Sequence, residues 1–111
     1  MLLKRLFKWI LSFFTKKEKI YKLKIVSELP QKPIQYTFYL EGDVKQDGYW
    51  YALLICPCGC GDKIMLNLMK DSRPCWEVVF NKEGFSVYPS IWRTKNCKSH
   101  FWLTKGKVFW V

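Results

Sequence analysis

One short stretch, Ile55-Cys56-Pro57-Cys58-Gly59-Cys60-Gly61, limits what this chain can fold into more than any other. Three of the five cysteines fall within five positions, interleaved with a proline and two glycines. About forty residues later comes Cys97-Lys98-Ser99-His100, which holds the single histidine. The remaining cysteine, Cys75, stands alone beside Trp76. Thiolates and imidazole are the donors that Zn²⁺ prefers, usually four at a time. Short spacing within each half lets one tight turn present two donors, and the long spacing between halves lets a metal staple distant strands. Glycine suits such a turn because it accepts φ > 0, and proline pre-sets φ at its start. Cys56, Cys58, Cys60, Cys97 and His100 are therefore five candidates for about four places. At least one of them stays outside the coordination sphere.

Disulfides are the competing use of these thiols. Five is an odd number, no clean secretory signal is present, and cysteines two apart pair poorly. An iron–sulfur site of the two-cysteine, two-histidine kind cannot be built with one histidine. The spacing favours a bound metal, and with it a reducing, cytoplasmic setting.

The apolar half of the chain and its 18% aromatic content suffice to fill a small core. A metal staple offsets the low buried fraction of a small domain. The net charge of +10 is uneven. Residues 1–24 carry eight Lys/Arg and one acid, whereas residues 25–111 carry eleven against eight acids. The body is only mildly basic, which argues against nucleic acid as a partner.

Residues 2–16 place Lys4, Arg5, Lys8, Ser12, Thr15 and Lys16 on one arc of a helix and apolar residues around the rest. This predicts a basic amphipathic helix over residues 1–19, too short and interrupted to span a bilayer. Its apolar face suits a membrane interface, at the inner face of the cell membrane, or equally a partner protein. Residues 20–33 read as a lead-in strand and linker, with Pro30 and Pro33 breaking any ladder. Residues 34–111 then run as short apolar and aromatic segments between turn signals. Strands are expected at Tyr21 to Val26, Ile34 to Leu40, Tyr49 to Ile55, Lys63 to Met69, Trp76 to Phe80, Phe85 to Tyr88, Phe101 to Thr104 and Lys107 to Val111. Pro89 to Arg93 reads as a connection into the second cysteine stretch. The expected fold is mostly β: a small antiparallel sandwich or barrel of hairpins, with the cysteine loop at the tip of one hairpin.

Chemistry is less legible. A catalytic zinc keeps three protein ligands and an open position for water, yet no His-Glu-x-x-His motif is present. Asp62, directly after the cysteine turn, is the nearest candidate base, although a turn aspartate more often caps its own backbone. Ser90 and Ser99 are candidate nucleophiles or donors, each equally readable as a solvated turn serine. A cysteine nucleophile paired with His100, such as Cys60, would compete with metal binding. Arg93 has the bidentate fork that grips a carboxylate.

Cys56-Pro-Cys-Gly-Cys-Gly61, Ile64-Met-Leu-Asn-Leu68, Pro74-Cys-Trp76, Pro89-Ser-Ile-Trp-Arg93, Cys97-Lys-Ser-His-Phe101 and Gly106-Lys-Val-Phe-Trp110 occur in an order and spacing that resembles the bacterial domain-of-unknown-function family numbered 6527. The resemblance covers about residues 34–111. It implies a gene setting beside ubiquitin-like proteins and E1-like and E2-like enzymes, in conjugation or defence operons. It further implies a zinc-dependent peptidase that processes or deconjugates the ubiquitin-like protein, or alternatively a non-catalytic zinc-binding adaptor in the same pathway. The metal positions it implies are Cys56, Cys58, Cys60, Cys97 and His100.

Overall fold

The structure is a computed structural model and describes residues 20–43 and 48–111. The expected amphipathic helix lies outside the described residues. Within them every regular element is a strand: β1 (Lys22–Val26), β2 (Thr37–Asp43), β3 (Gly48–Ile55), β4 (Lys63–Asn67), β5 (Glu77–Asn81), β6 (Gly84–Trp92), β7 (His100–Thr104) and β8 (Lys107–Trp110). They form two four-stranded sheets, ordered β1-β2-β3-β4 and β5-β6-β7-β8.

Alternation builds the core. On β7 the pattern runs half-buried, buried, exposed, buried, so Phe101 and Leu103 point inward while His100 and Trp102 point outward. On β4, Ile64 and Leu66 are buried and Met65 is exposed. The inward residues of both sheets form one buried cluster that includes Phe38, Leu54, Leu66, Val87 and Phe101. Phe38 and Phe85, one from each sheet, have ring centroids 4.7 Å apart. The hairpins expected from sequence are present, and the β3–β4 hairpin carries the cysteine loop at its tip. Within that loop Gly59 and Gly61 take φ of 96° and 81°, the left-handed region that a Cβ disfavours.

Three features depart from the expectation. First, β1 pairs with β2 in parallel, Lys22 opposite Thr37, so the first sheet is mixed rather than antiparallel. Parallel pairing needs a long connection, and residues 27–36 supply it. The lead-in thereby ties both sheets: Tyr21 N donates to Gly106 O (2.7 Å), and Tyr21 Oη donates to Ile55 O (2.5 Å). Second, β2 and β3 slip by one residue between Glu41 and Gly42. A Cβ on Gly42 would stand 2.3 Å from Gly48 O and 2.7 Å from Tyr49 Cα.

Third, β6 does not stop at Tyr88. It continues to Trp92 through a bulge in which Tyr88, Pro89 and Ser90 face the single residue Trp102 of β7. Pairing resumes at Ile91 with Phe101 and at Trp92 with His100. The segment read from sequence as a connection is strand because Ile91 needs the core, where it is 2% exposed.

Candidate functional site

Two constellations adjoin at one end of the sheets. The first is built by the β3–β4 tip and the β6–β7 connection, one from each sheet. Cys56 is buried at the end of β3, Cys58 and Cys60 are exposed in the turn, and Cys97 is half-buried in the connection. Their four sulfurs lie within 4.8 Å of one another. Cys56 Sγ is 3.4 Å from Cys58 Sγ and 3.6 Å from Cys97 Sγ. Tetrahedral zinc with bonds near 2.3 Å sets its sulfurs roughly 3.8 Å apart, whereas a disulfide needs about 2.05 Å. The donor set and spacing fit a metal, and all five cysteines are free thiols.

The backbone is shaped for thiolates. Cys60 N donates to Cys58 Sγ (3.4 Å), Asp62 N to Cys60 Sγ (3.5 Å) and the Ser99 hydroxyl to Cys97 Sγ (3.2 Å). The Ser99 hydroxyl, followed by its amide, lowers the Cys97 pKa to about 6 and also lowers that of Cys58. Burial raises that of Cys56. At Cys60 the Asp62 amide pulls down, but burial and the neighbouring Cys58, Cys97 and Cys56 together push it up to about 12. Four thiols crowded without a metal cannot all ionise, and a divalent cation removes that conflict.

Arg93 closes this cluster. Its Nη1 donates to Asp62 Oδ2 at 3.2 Å, Cys97 Sγ at 3.5 Å and Cys60 Sγ at 3.7 Å. Asp62 is thus held in an ion pair beside the sulfurs. Ser99 is likewise committed to Cys97.

The second constellation lies on the outer face of the β5–β8 sheet. Ser90 Oγ is 2.8 Å from His100 Nε2. Trp92, opposite His100 in the ladder, stacks on the imidazole at 5.3 Å and 21°. The bulge makes this possible. It carries Ser90 out of the regular ladder while returning Ile91 to the core, a re-aiming that bulges perform beside active sites. Trp76 Nε1 donates to Ser90 O at 3.4 Å and fixes the backbone of the bulge. Ser90 and His100 are both half-buried, sheltered yet reachable from solvent.

The five candidates of the sequence thus divide. Four sulfurs come together, and His100 faces Ser90 instead. His100 opens β7, where strand geometry aims its side chain at the outer face, while Cys97 sits three residues earlier in the connection. Cys60 points to the cluster and does not pair with His100. Cys75 is outside the cluster, with its Sγ 2.5 Å from Arg73 Nη1.

The two constellations are mechanically joined. Arg93 N donates to Ser99 O at 2.7 Å, immediately beyond the Trp92–His100 pair. The short stretch from Cys97 to His100 therefore has a sulfur at one end and the imidazole at the other.

No curated protein and no solved structure matches the chain. A family model does match it, over residues 25–111, under the description "Bacterial ubiquitination-like system serine protease (BubE)". That description carries the ubiquitin-like setting expected from the motifs, and it names a serine protease where the resemblance implied a zinc-dependent peptidase. Because that match spans most of the chain and takes in both constellations, the chain belongs to the BubE family.

Proposed function

We propose that the protein is a serine peptidase that releases a bacterial ubiquitin-like protein from a precursor or a conjugate, with Ser90 as nucleophile and His100 as general base. The observation that carries this reading is the 2.8 Å contact between Ser90 Oγ and His100 Nε2 on an accessible sheet face. Serine is a weak nucleophile until an adjacent base takes its proton. Here Oγ attacks the scissile carbonyl as Nε2 accepts the hydroxyl proton. The same nitrogen then returns that proton to the leaving group, and the acyl-serine formed is hydrolysed by a water that Nε2 deprotonates, the proton passing to Ser90 Oγ as the acyl bond breaks. Stacking on Trp92 holds the imidazole in the plane that this exchange requires.

The cysteine centre has a different part. Four sulfurs fill a tetrahedral zinc and leave no position for a water, as structural sites do. Cys56, Cys58, Cys60 and Cys97 would hold the ion, which when bound supplies a cross-link between the two sheets. Sulfur donors also weaken a metal's pull on a carbonyl, so the hydrolytic work falls to Ser90 and His100. Thiolate ligands need a reducing compartment, which supports a cytoplasmic setting. Residues 2–16 would dock it to a membrane surface or to an E1-like or E2-like partner.

The test is covalent labelling of the metal-loaded protein with a fluorophosphonate, read by intact mass, beside cleavage of a ubiquitin-like precursor. One adduct on the wild type is expected, lost in Ser90→Ala and in His100→Ala with metal content unchanged. Equal labelling of Ser90→Ala, or cleavage that survives it, would overturn the assignment.

A further inference from the structure

Two grooves meet at the β6 bulge, and Ser90 joins them in the chain. The first, about 450 Å³, is walled by Tyr88, Pro89, Trp76 and Trp102, with Lys70 and Arg73 at its rim. The second, about 320 Å³, is walled by Met65, Ile91, Trp92 and Trp76, with Lys63 and Lys95 at its rim. Trp76 lines both, and its indole is the group bonded to Ser90 O. Pro89 and Ile91, the residues on either side of Ser90 in the chain, belong one to each groove.

Resting on Ser90 as nucleophile, we propose that these grooves hold one extended polypeptide on both sides of the scissile bond, with acidic side chains in each. The enzyme is then an endopeptidase rather than one that trims a terminal residue.

Three observations support this. The two chain neighbours of the nucleophile line different grooves, Pro89 one and Ile91 the other, and a substrate ending at the scissile bond would use only one. The first groove is walled mainly by aromatic and apolar side chains, as peptide-binding clefts are, and the second mixes Met65, Ile91 and Trp92 with the polar Thr94 and three cations. Tyr88 and Trp102 meet edge to face at 6.4 Å and remain exposed, so the first groove is open at that side. Charge selects the occupant. Among the described residues, Lys70, Arg73, Lys63, Arg93 and Lys95 line the grooves against the one acid Glu77. Arg93 is already engaged by Asp62 and two sulfurs. The four other cations are on exposed residues; Arg73 Nη1 donates to Cys75 Sγ and Lys63 Nζ to Gln31 O, and each keeps further N–H donors for a carboxylate. Carboxylates in the substrate meet complementary charge in both grooves, while a lysine-rich segment is repelled.

The experiment uses the metal-loaded full chain with internally quenched peptides. One carries acidic residues on both sides of the cleaved bond, one on neither side, and one is an acyl anilide with no residue after the bond. The variants are Lys70→Glu with Arg73→Glu, and Lys63→Glu with Lys95→Glu. Each pair is expected to lower kcat/KM for the doubly acidic peptide at least tenfold at low salt. Fluorophosphonate labelling of Ser90 should continue at the wild-type rate. The anilide should be at least tenfold poorer than the acidic peptide. An effect from only one variant pair, an anilide cleaved as well as the peptide, or no peptide cleaved while labelling persists would each overturn the two-groove substrate and leave the serine assignment standing. Absence of labelling in the wild type would overturn the serine assignment itself.

Discussion

Arg93→Met is the most informative single substitution near the cysteine centre. The side chain keeps its apolar stem and loses a guanidinium placed 3.5 Å and 3.7 Å from two sulfurs. Four thiolates on a divalent ion carry a net charge of −2, and this guanidinium is the cation that the fold sets against it. At roughly 3.5 Å, one unit charge pair is worth about 1.2 kcal/mol in bulk water and about 4.7 kcal/mol at an effective dielectric of 20. The site lies between these limits, since the Arg93 side chain is 15% exposed and that of Asp62 41%. Loss of hydrogen bonds beyond the ligands themselves commonly weakens metal binding about 10- to 100-fold, or roughly 1.4–2.7 kcal/mol. Zinc affinity should therefore fall by that factor when measured by competition with a chromogenic chelator at pH 7.5. Arg93→Lys should fall less, because an ammonium keeps the charge but reaches fewer acceptors. The backbone bond from Arg93 N to Ser99 O does not depend on the side chain. With zinc saturating, Ser90 labelling should accordingly persist. A zinc affinity within twofold of wild type would refute the view that Arg93 stabilises the thiolate cluster.

The remaining expectations are simpler to check. Phe38→Ala removes a fully buried ring that bridges the sheets and should cost about 3–5 kcal/mol in denaturant unfolding. Gly42→Ala drives a methyl into backbone at 2.3 Å and should destabilise by roughly 1–3 kcal/mol in the same assay, although nothing at Ser90 changes. Protons compete with the metal for thiolates, and the lowered Cys97 pKa keeps that sulfur ionised until pH falls to about 6. Metal affinity should fall on acidification, and Ser99→Ala should shift the release profile to higher pH, since losing the hydroxyl raises the Cys97 thiol pKa; an unshifted release profile counts against this role for Ser99. Trp92→Ala should slow Ser90 labelling by a few-fold to about tenfold, the worth of one aromatic contact, with metal content and melting temperature unchanged.

The strands were legible because their side chains alternate and their turns carry Gly, Asn, Asp or Lys-Gly. The clustering of Cys56, Cys58, Cys60 and Cys97 was legible because short spacing within a turn survives any arrangement of the rest. What could not be read was anything that depends on register between distant segments. The parallel pairing of β1 has no local signature, since it is decided by where residues 27–36 carry the chain. Ser90 and His100 are ten positions apart across a hairpin, and a regular ladder from Trp92–His100 would not by itself bring their polar atoms to 2.8 Å. Ser90 is a candidate nucleophile from its place ahead of the second cysteine stretch, but its pairing with His100 becomes visible only once the bulge is known. The sequence groups His100 with the cysteines because Cys97 lies three residues away, a spacing that suits a metal ligand as well as it suits a strand beginning.

The β6 bulge also sets an arithmetic of chain length. Between paired points β6 has three residues and β7 has one, a surplus that is even. Side chains on a strand alternate with a period of two, so the even surplus leaves Val87 and Ile91 both facing inward. An ancestor losing one residue here would turn every later side chain of β6 over, putting Ile91 in water and Trp92 in the core. An ancestor losing two would keep the same faces, the same hairpin and the same cysteine turn, while erasing the segment that displays the proposed nucleophile. The fold therefore has a short route to a catalytically silent descendant, and it passes through a pairwise deletion at positions 89 and 90 rather than through any change in the core.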